Sequence, residues 1–195
     1  SYWVLLVLIF YGTESYTQET ASGIGPRWTE DEANVMMKKF SRKWDDRKSW
    51  ETRASLIRQG MIEGMQLDQM PEIKGNFNAR ITNTRNFGGY VVENIMIESF
   101  PGFYITGNIY RPPKLKGKHA GILCPHGHFD NARFRPAMQR RCATLARMGA
   151  IVFAYDMIGY GDSQQVTHEI PIAMLLLTWN STRVLEYLLS RPDVD

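Results

Sequence analysis

The spacing of hydrophobic residues divides the chain into stretches of different period. Residues 3–10 form an unbroken apolar run, and residues 12–23 are mainly polar. From residue 30 to about 66 the pattern is helical: Val35, Met36, Phe40 and Trp44 recur at helical intervals with charges between them. Thr29, followed by Glu30, Asp31 and Glu32, suits a helix start. Its hydroxyl can cap a free amide, and the carboxylates favour the positive end of the helix dipole. Trp50, Ala54 and Ile57 place a second helix over residues 49–60, with Gly60 and Gly64 weakening its continuation. Residues 71–89, rich in Asn, Gly and Arg, read as a linker.

Beyond this point the period shortens. Residues 91–98 and 103–110 alternate, with Val91, Ile95 and Ile97 on one face and Glu93 polar among them. Pro101-Gly102 between them is type II turn chemistry, so the two strands form a hairpin. Pro112 and Pro113 end the second strand. Residues 120–124 are apolar without alternation, which predicts a strand covered on both faces. Residues 136–148 predict a helix with Met138, Cys142, Leu145 and Met148 inward, Pro136 in its first turn and Gly149 just past its end. Residues 151–155 predict another buried strand. Residues 175–190 predict a helix with Leu177, Val184, Leu185 and Leu188 inward, ended by Pro192. Hairpin, strand, helix, strand, helix is the order of an α/β fold, in which an antiparallel hairpin leads into parallel strands with covering helices. A helical N-terminal segment precedes it.

The composition, 44% hydrophobic and 22% charged over 195 residues, is ordinary for a globular protein. A net charge of +3 with no long basic run gives no reason to expect a nucleic-acid partner. The densest basic group is Arg133, Arg135, Arg140, Arg141 and Arg147. It reads as a solvated helix face, with attraction of an acidic substrate as the alternative. Cys124 and Cys142 are too few for a disulfide framework and read as small buried hydrophobes. The Cys and His residues show no metal-ligand spacing, so neither a metal nor another cofactor is expected. The run over residues 3–10 is too short for a stable membrane span. It fits the apolar region of a secretory signal peptide whose start is missing, which makes residues 1–21 a signal remnant and the protein secreted or periplasmic.

In a parallel α/β sheet, ligands bind where strands end, and two loops here leave such ends. The first contains Pro125-His126-Gly127-His128. A sharp strand-to-helix turn of this kind can present an amide to the developing oxyanion of an ester. His128 is the expected donor through its backbone N–H, and Gly127 shapes the turn. His126 orients the loop or touches substrate. The second loop runs from Asp156 to Ser163. Gly161-Asp162-Ser163-Gln164-Gln165 is not a G-x-S-x-G nucleophile elbow, because Gln165 stands where the second glycine must be. No Gly-Lys-Ser/Thr follows, so the loop is not a phosphate loop either. Asp156 is expected to be structural, bonding loop amides, and His168 and Glu169 to lie at the surface, with a substrate-facing role as the alternative.

Three segments carry a family resemblance: Cys124-Pro125-His126-Gly127-His128, Arg141-Cys142-Ala143 through Gly149, and Tyr155-Asp156-Met157-Ile158-Gly159-Tyr160-Gly161-Asp162-Ser163. Together with the hairpin and the ending Ser190-Arg191-Pro192-Asp193-Val194-Asp195, they resemble the bacterial acetyl xylan esterase-like branch of the α/β-hydrolase superfamily. The resemblance covers residues 90–195, which it implies to be the N-terminal half of a hydrolase domain with a truncated sheet; residues 22–89 form the helical segment and linker. It implies a serine hydrolase acting on a small-molecule or polysaccharide ester. Serine, acid and histidine follow in that order in such proteins, and all three are expected beyond Asp195. Only the oxyanion loop, Gly127 and His128, carries over. A peptidase or dienelactone-hydrolase-like member of the same superfamily, and a non-catalytic truncated product or binding module, remain alternatives. The oligomeric state stays open.

Overall fold

A computed structural model describes residues 28–195. The signal-peptide expectation for residues 1–21 falls outside the described residues. The chain divides into two compact units, one ending at Arg53 and one running from Ala54 to Asp195.

The first unit contains α1 (Glu30–Ser41). Its start is a capping box: Thr29 Oγ1 accepts the Glu32 amide at 3.3 Å, and Glu32 Oε2 accepts the Thr29 amide at 2.8 Å. The helical pattern does not run on unbroken to residue 66. The chain leaves α1 at Arg42, and α2 (Arg47–Gly64) begins after Asp46. Asp46 Oδ1 accepts the Ser49 amide at 2.7 Å, and Ser49 Oγ accepts the amides of Asp45 and Asp46 at 3.1 Å. Such local side-chain bonds compete with the helix and restart it. The second helix is longer than residues 49–60 and passes through Gly60 to Gly64.

The second unit is built on a five-stranded sheet with order β1-β2-β3-β5-β4. Its strands are β1 (Arg80–Asn86), β2 (Val91–Phe100), β3 (Phe103–Arg111), β4 (Gly121–Leu123) and β5 (Ile151–Tyr155). The hairpin β2–β3 forms as expected, with Gly102 at φ +78°. β1 corrects the linker reading. Every residue of Arg-Ile-Thr-Asn-Thr-Arg-Asn is exposed, so no buried face marks it as a strand; it exists because β2 offers it an antiparallel edge.

β3 pairs antiparallel with β5, and β5 pairs parallel with β4. Helices α3 (Pro136–Arg147) and α4 (Ala173–Ser190) contribute to opposite sides of this sheet. β5 shows the layering directly. Ile151, Phe153 and Tyr155 pack with Val184, Tyr187 and Leu188 of α4, while Val152 and Ala154 pack with Met138, Cys142, Ala143 and Ala146 of α3. Alternation along a strand buried on both faces produces this division.

Three expectations change in the tertiary fold. β4 is three residues long and sits at the sheet edge, with Gly121 exposed and Ile122 and Leu123 only partly buried, so it is not covered on both faces. Beside its start, Val194 bridges His119 in parallel; the His119 amide donates to Asp193 O and the Asp195 amide donates to His119 O, both at 2.9 Å. On α3, Ala143 and Ala146 are buried, whereas Met148 lies just past its end and is exposed. On α4, Leu185 is exposed while Asn180 and Arg183 are buried. The Arg183 guanidinium donates to Gly75 O at 2.8 Å and to Glu98 O at 3.3 Å, and packs over the Phe77 ring. These partners lie outside α4 and overrule its apolar period.

Candidate active-site loops

The loops after β4 and β5 lie side by side, and buried polar groups join them. Arg133, in a short 3-10 turn ahead of α3, is nearly inaccessible to solvent. Its guanidinium donates to the Asp156 carboxylate, to Asp162 Oδ2 at 2.5 Å and to Asn108 Oδ1 at 2.8 Å. Asp156 Oδ2 also accepts Thr106 Oγ1 at 2.8 Å and the Asp162 amide at 3.0 Å. Asp156 therefore bonds a loop amide, as its position after the strand suggested, and it also pairs with a cation. Gly161, at φ +54°, passes directly over this carboxylate; a Cβ there would fall on it.

Arg133 accordingly leaves the basic group read from the sequence. Arg135, Arg140, Arg141 and Arg147 are exposed. Arg135 lies over Phe129 and Arg147 over Tyr90. No spacing signal separated Arg133 from its neighbours, because its partners come from β3 and from the loop after β5.

The Pro125-His126-Gly127-His128 segment begins where β4 ends. The His126 ring is enclosed. Its Nε2 accepts the Met157 amide at 3.2 Å, so its proton sits on Nδ1, which donates to Gly127 O at 2.9 Å. Burial is the main cause that holds His126 below the usual histidine range, so the ring is neutral near pH 7. Gly127 O also accepts the Phe129 amide at 3.0 Å. The planar peptide that carries this carbonyl ends in the His128 N–H, which points the opposite way. Among the described residues, no group accepts from that N–H. The His128 N–H is thus a free donor on an exposed residue, with the carbonyl of its peptide tied down from behind. Gly127 suits the turn because a Cβ there would meet the Phe129 ring at 2.8 Å.

The His128 side chain is exposed, and its Nε2 lies 2.7 Å from His168 Nε2. The Tyr160 ring stands edge-on to both imidazoles. His168 is therefore part of the loop assembly and not simply a surface residue. The glycine-rich loop also shows why Ser163 is no nucleophile: it is buried, and its Oγ lies 2.9 Å from Thr106 Oγ1. Behind the strand end, Cys124 and Cys142 are buried free thiols. The hydrogen bond to Cys124, with burial, pushes the Cys142 thiol up. Among the described residues no group of His, Cys, Asp or Glu is arranged to hold a metal ion.

The fold has close relatives among solved structures. The methylesterase BT1017 matches with a TM-score of 0.76 and 36% identity over 88% of this chain. The chain carries an esterase-like α/β-hydrolase fold. A protein assigned as an acetyl xylan esterase from Bacteroides fragilis NCTC 9343 matches with a TM-score of 0.60 and 14% identity over 89% of the chain. Acetyl xylan esterase 1 from Thermoanaerobacterium sp. JW/SL YS485 matches with a TM-score of 0.50 and 15% identity over 70%. At these lower identities the likeness is one of fold. The chain spans 39%, 54% and 47% of those three proteins, respectively. No protein-family model and no curated protein matches the chain.

Proposed function

We propose that the chain is the N-terminal part of a serine-type carboxylic ester hydrolase acting on carbohydrate esters, and that the His128 N–H is one donor of its oxyanion hole. The observation that carries this reading is the His128 amide, which has no acceptor among the described residues and whose peptide is held by the His126 contact to Gly127 O. In this reading the serine and its partners belong to sequence after Asp195, since residues 1–195 contain no G-x-S-x-G turn. The serine attacks the ester carbonyl, the oxygen becomes an anion, and the preorganised amide stabilises it. One such donor contributes roughly 3 kcal/mol to lowering the barrier. The apolar run over residues 3–10 supports export to the cell exterior or periplasm.

Two ester classes compete. Identity of 36% with a methylesterase favours a methyl ester, where the sugar lies on the acyl side. The resemblance to acetyl xylan esterases favours an acetyl ester, where the sugar is the alcohol.

The test compares methyl and acetyl esters of saccharides as substrates of the protein extended through the next G-x-S-x-G turn. Replacing His128 by proline removes the donor hydrogen and should lower kcat by roughly 100- to 1,000-fold. Residues 1–195 alone should cleave p-nitrophenyl acetate no faster than their own His128→Pro variant. A rate well above that control would show that the nucleophile lies within the chain.

A further inference from the structure

The His128 side chain has no part in the oxyanion reading, yet it is held by a directed contact. His168 Nδ1 lies 3.1 Å from Ile158 O, and a carbonyl can only accept, so Nδ1 carries the proton. In the neutral ring His168 Nε2 is then bare. His128 Nε2 sits 2.7 Å away, so it supplies the one hydrogen the two nitrogens share. The result is a chain with a single direction: His128 Nε2–H donates to His168 Nε2, and His168 Nδ1–H donates to Ile158 O. Ile158 is 1% exposed, so the chain ends on a buried part of the loop after β5.

We infer that His168 is a positioning residue that fixes the His128 amide through this pair of imidazoles. The inference rests on the oxyanion reading above. A peptide plane can still turn about the line joining its two Cα atoms. His126 opposes that turn by holding Gly127 O. His168 holds the side chain on the second Cα and so fixes where that end of the line lies, while His126 sets the turn about it. Tyr160, edge-on to His128 and His168 with ring centroids at 5.9 and 5.1 Å, limits the swing of both rings.

The test uses residues 1–195 and needs no catalysis. Long-range nitrogen–proton spectra at about pH 8 should show His168 as the Nδ1–H tautomer and His128 as the Nε2–H tautomer. In His168→Ala, the His128 amide should lose its fixed place, read as a fall in its nitrogen–proton heteronuclear NOE toward the values of a mobile loop. His168→Gln, whose amide oxygen can accept from His128, should restore the higher value, and Glu169→Gln should leave it unchanged. A His168 ring protonated on Nε2, or a His128 amide indifferent to His168→Ala, would overturn the inference. In the extended protein His168→Ala should lower kcat and leave KM unchanged. Correct tautomers and a responsive amide with no ester cleaved would overturn the esterase reading and leave the positioning role intact.

Discussion

Arg133 and Asp156 form a buried ion pair between the two loops that leave the ends of β4 and β5. Asp162 and Asn108 share the guanidinium, and Thr106 shares the carboxylate. Removing Asp156 leaves the Arg133 guanidinium, in a place water does not reach, with only the largely exposed Asp162 as its carboxylate partner. Asp156→Ala should therefore destabilise folding by about 3–5 kcal/mol. The double variant Arg133→Met with Asp156→Leu should cost less than the two single changes added together. Urea unfolding of the four proteins measures this coupling.

His126 makes stability depend on pH. Its folded pKa is depressed below the usual histidine range, chiefly by burial, so the unfolded chain binds the proton more readily. The stabilisation is complete above about pH 6.5 and is lost as pH falls toward the folded value. Denaturant midpoints between pH 7.5 and 5.5 should fall as the solution is acidified, in a range where ordinary carboxylates stay ionised. His126→Gln should flatten that slope while lowering stability at pH 7.5.

The two loop glycines should differ in their tolerance of alanine. Gly161 has a left-handed φ and lies over the Asp156 carboxylate. Gly161→Ala should cost at least about 2 kcal/mol, since strain and displacement of the ion pair add. Gly127 lacks a left-handed φ, and its hindrance is the edge of the Phe129 ring, which can turn. Gly127→Ala should cost less than about 1.5 kcal/mol in the same unfolding experiment.

Helix α4 gives a direct contrast between sequence period and tertiary environment. Leu185 belongs to the apolar stripe but is 43% exposed, whereas Arg183 is fully buried. Leu185→Ser should change stability by no more than about 0.5 kcal/mol. Arg183→Ala should cost about 3 kcal/mol or more, because it leaves the Gly75 and Glu98 carbonyls without their donor and empties the space beside Phe77. Thermal melts of both variants distinguish the two outcomes.

Where a residue's burial follows from its immediate neighbours, the sequence was readable. The β2–β3 hairpin, β5, α3 and the helix start at Thr29 all rest on local signals: a Pro-Gly turn, an apolar run, a helical stripe, a capping hydroxyl ahead of three carboxylates. β1 was not readable, because its seven residues are exposed and only pairing with β2 makes them a strand. The edge position of β4 was not readable either. Strand order depends on which partner each strand finds, and that partner can lie dozens of residues away.

The same boundary divides the candidate site. Order and spacing placed Pro125-His126-Gly127-His128 at a strand end, because turn chemistry is local, and the resemblance carried by this and the other quoted segments implied an α/β-hydrolase. Only the tertiary structure decided that His126 accepts the Met157 amide across 31 residues, that His168 meets His128 across 40, and that Arg133 is a buried partner of Asp156. Each of these contacts joins segments whose separation along the chain carries no periodic signal. They arise because packing on the two faces of the sheet brings the loops together, and desolvation then pairs their polar groups.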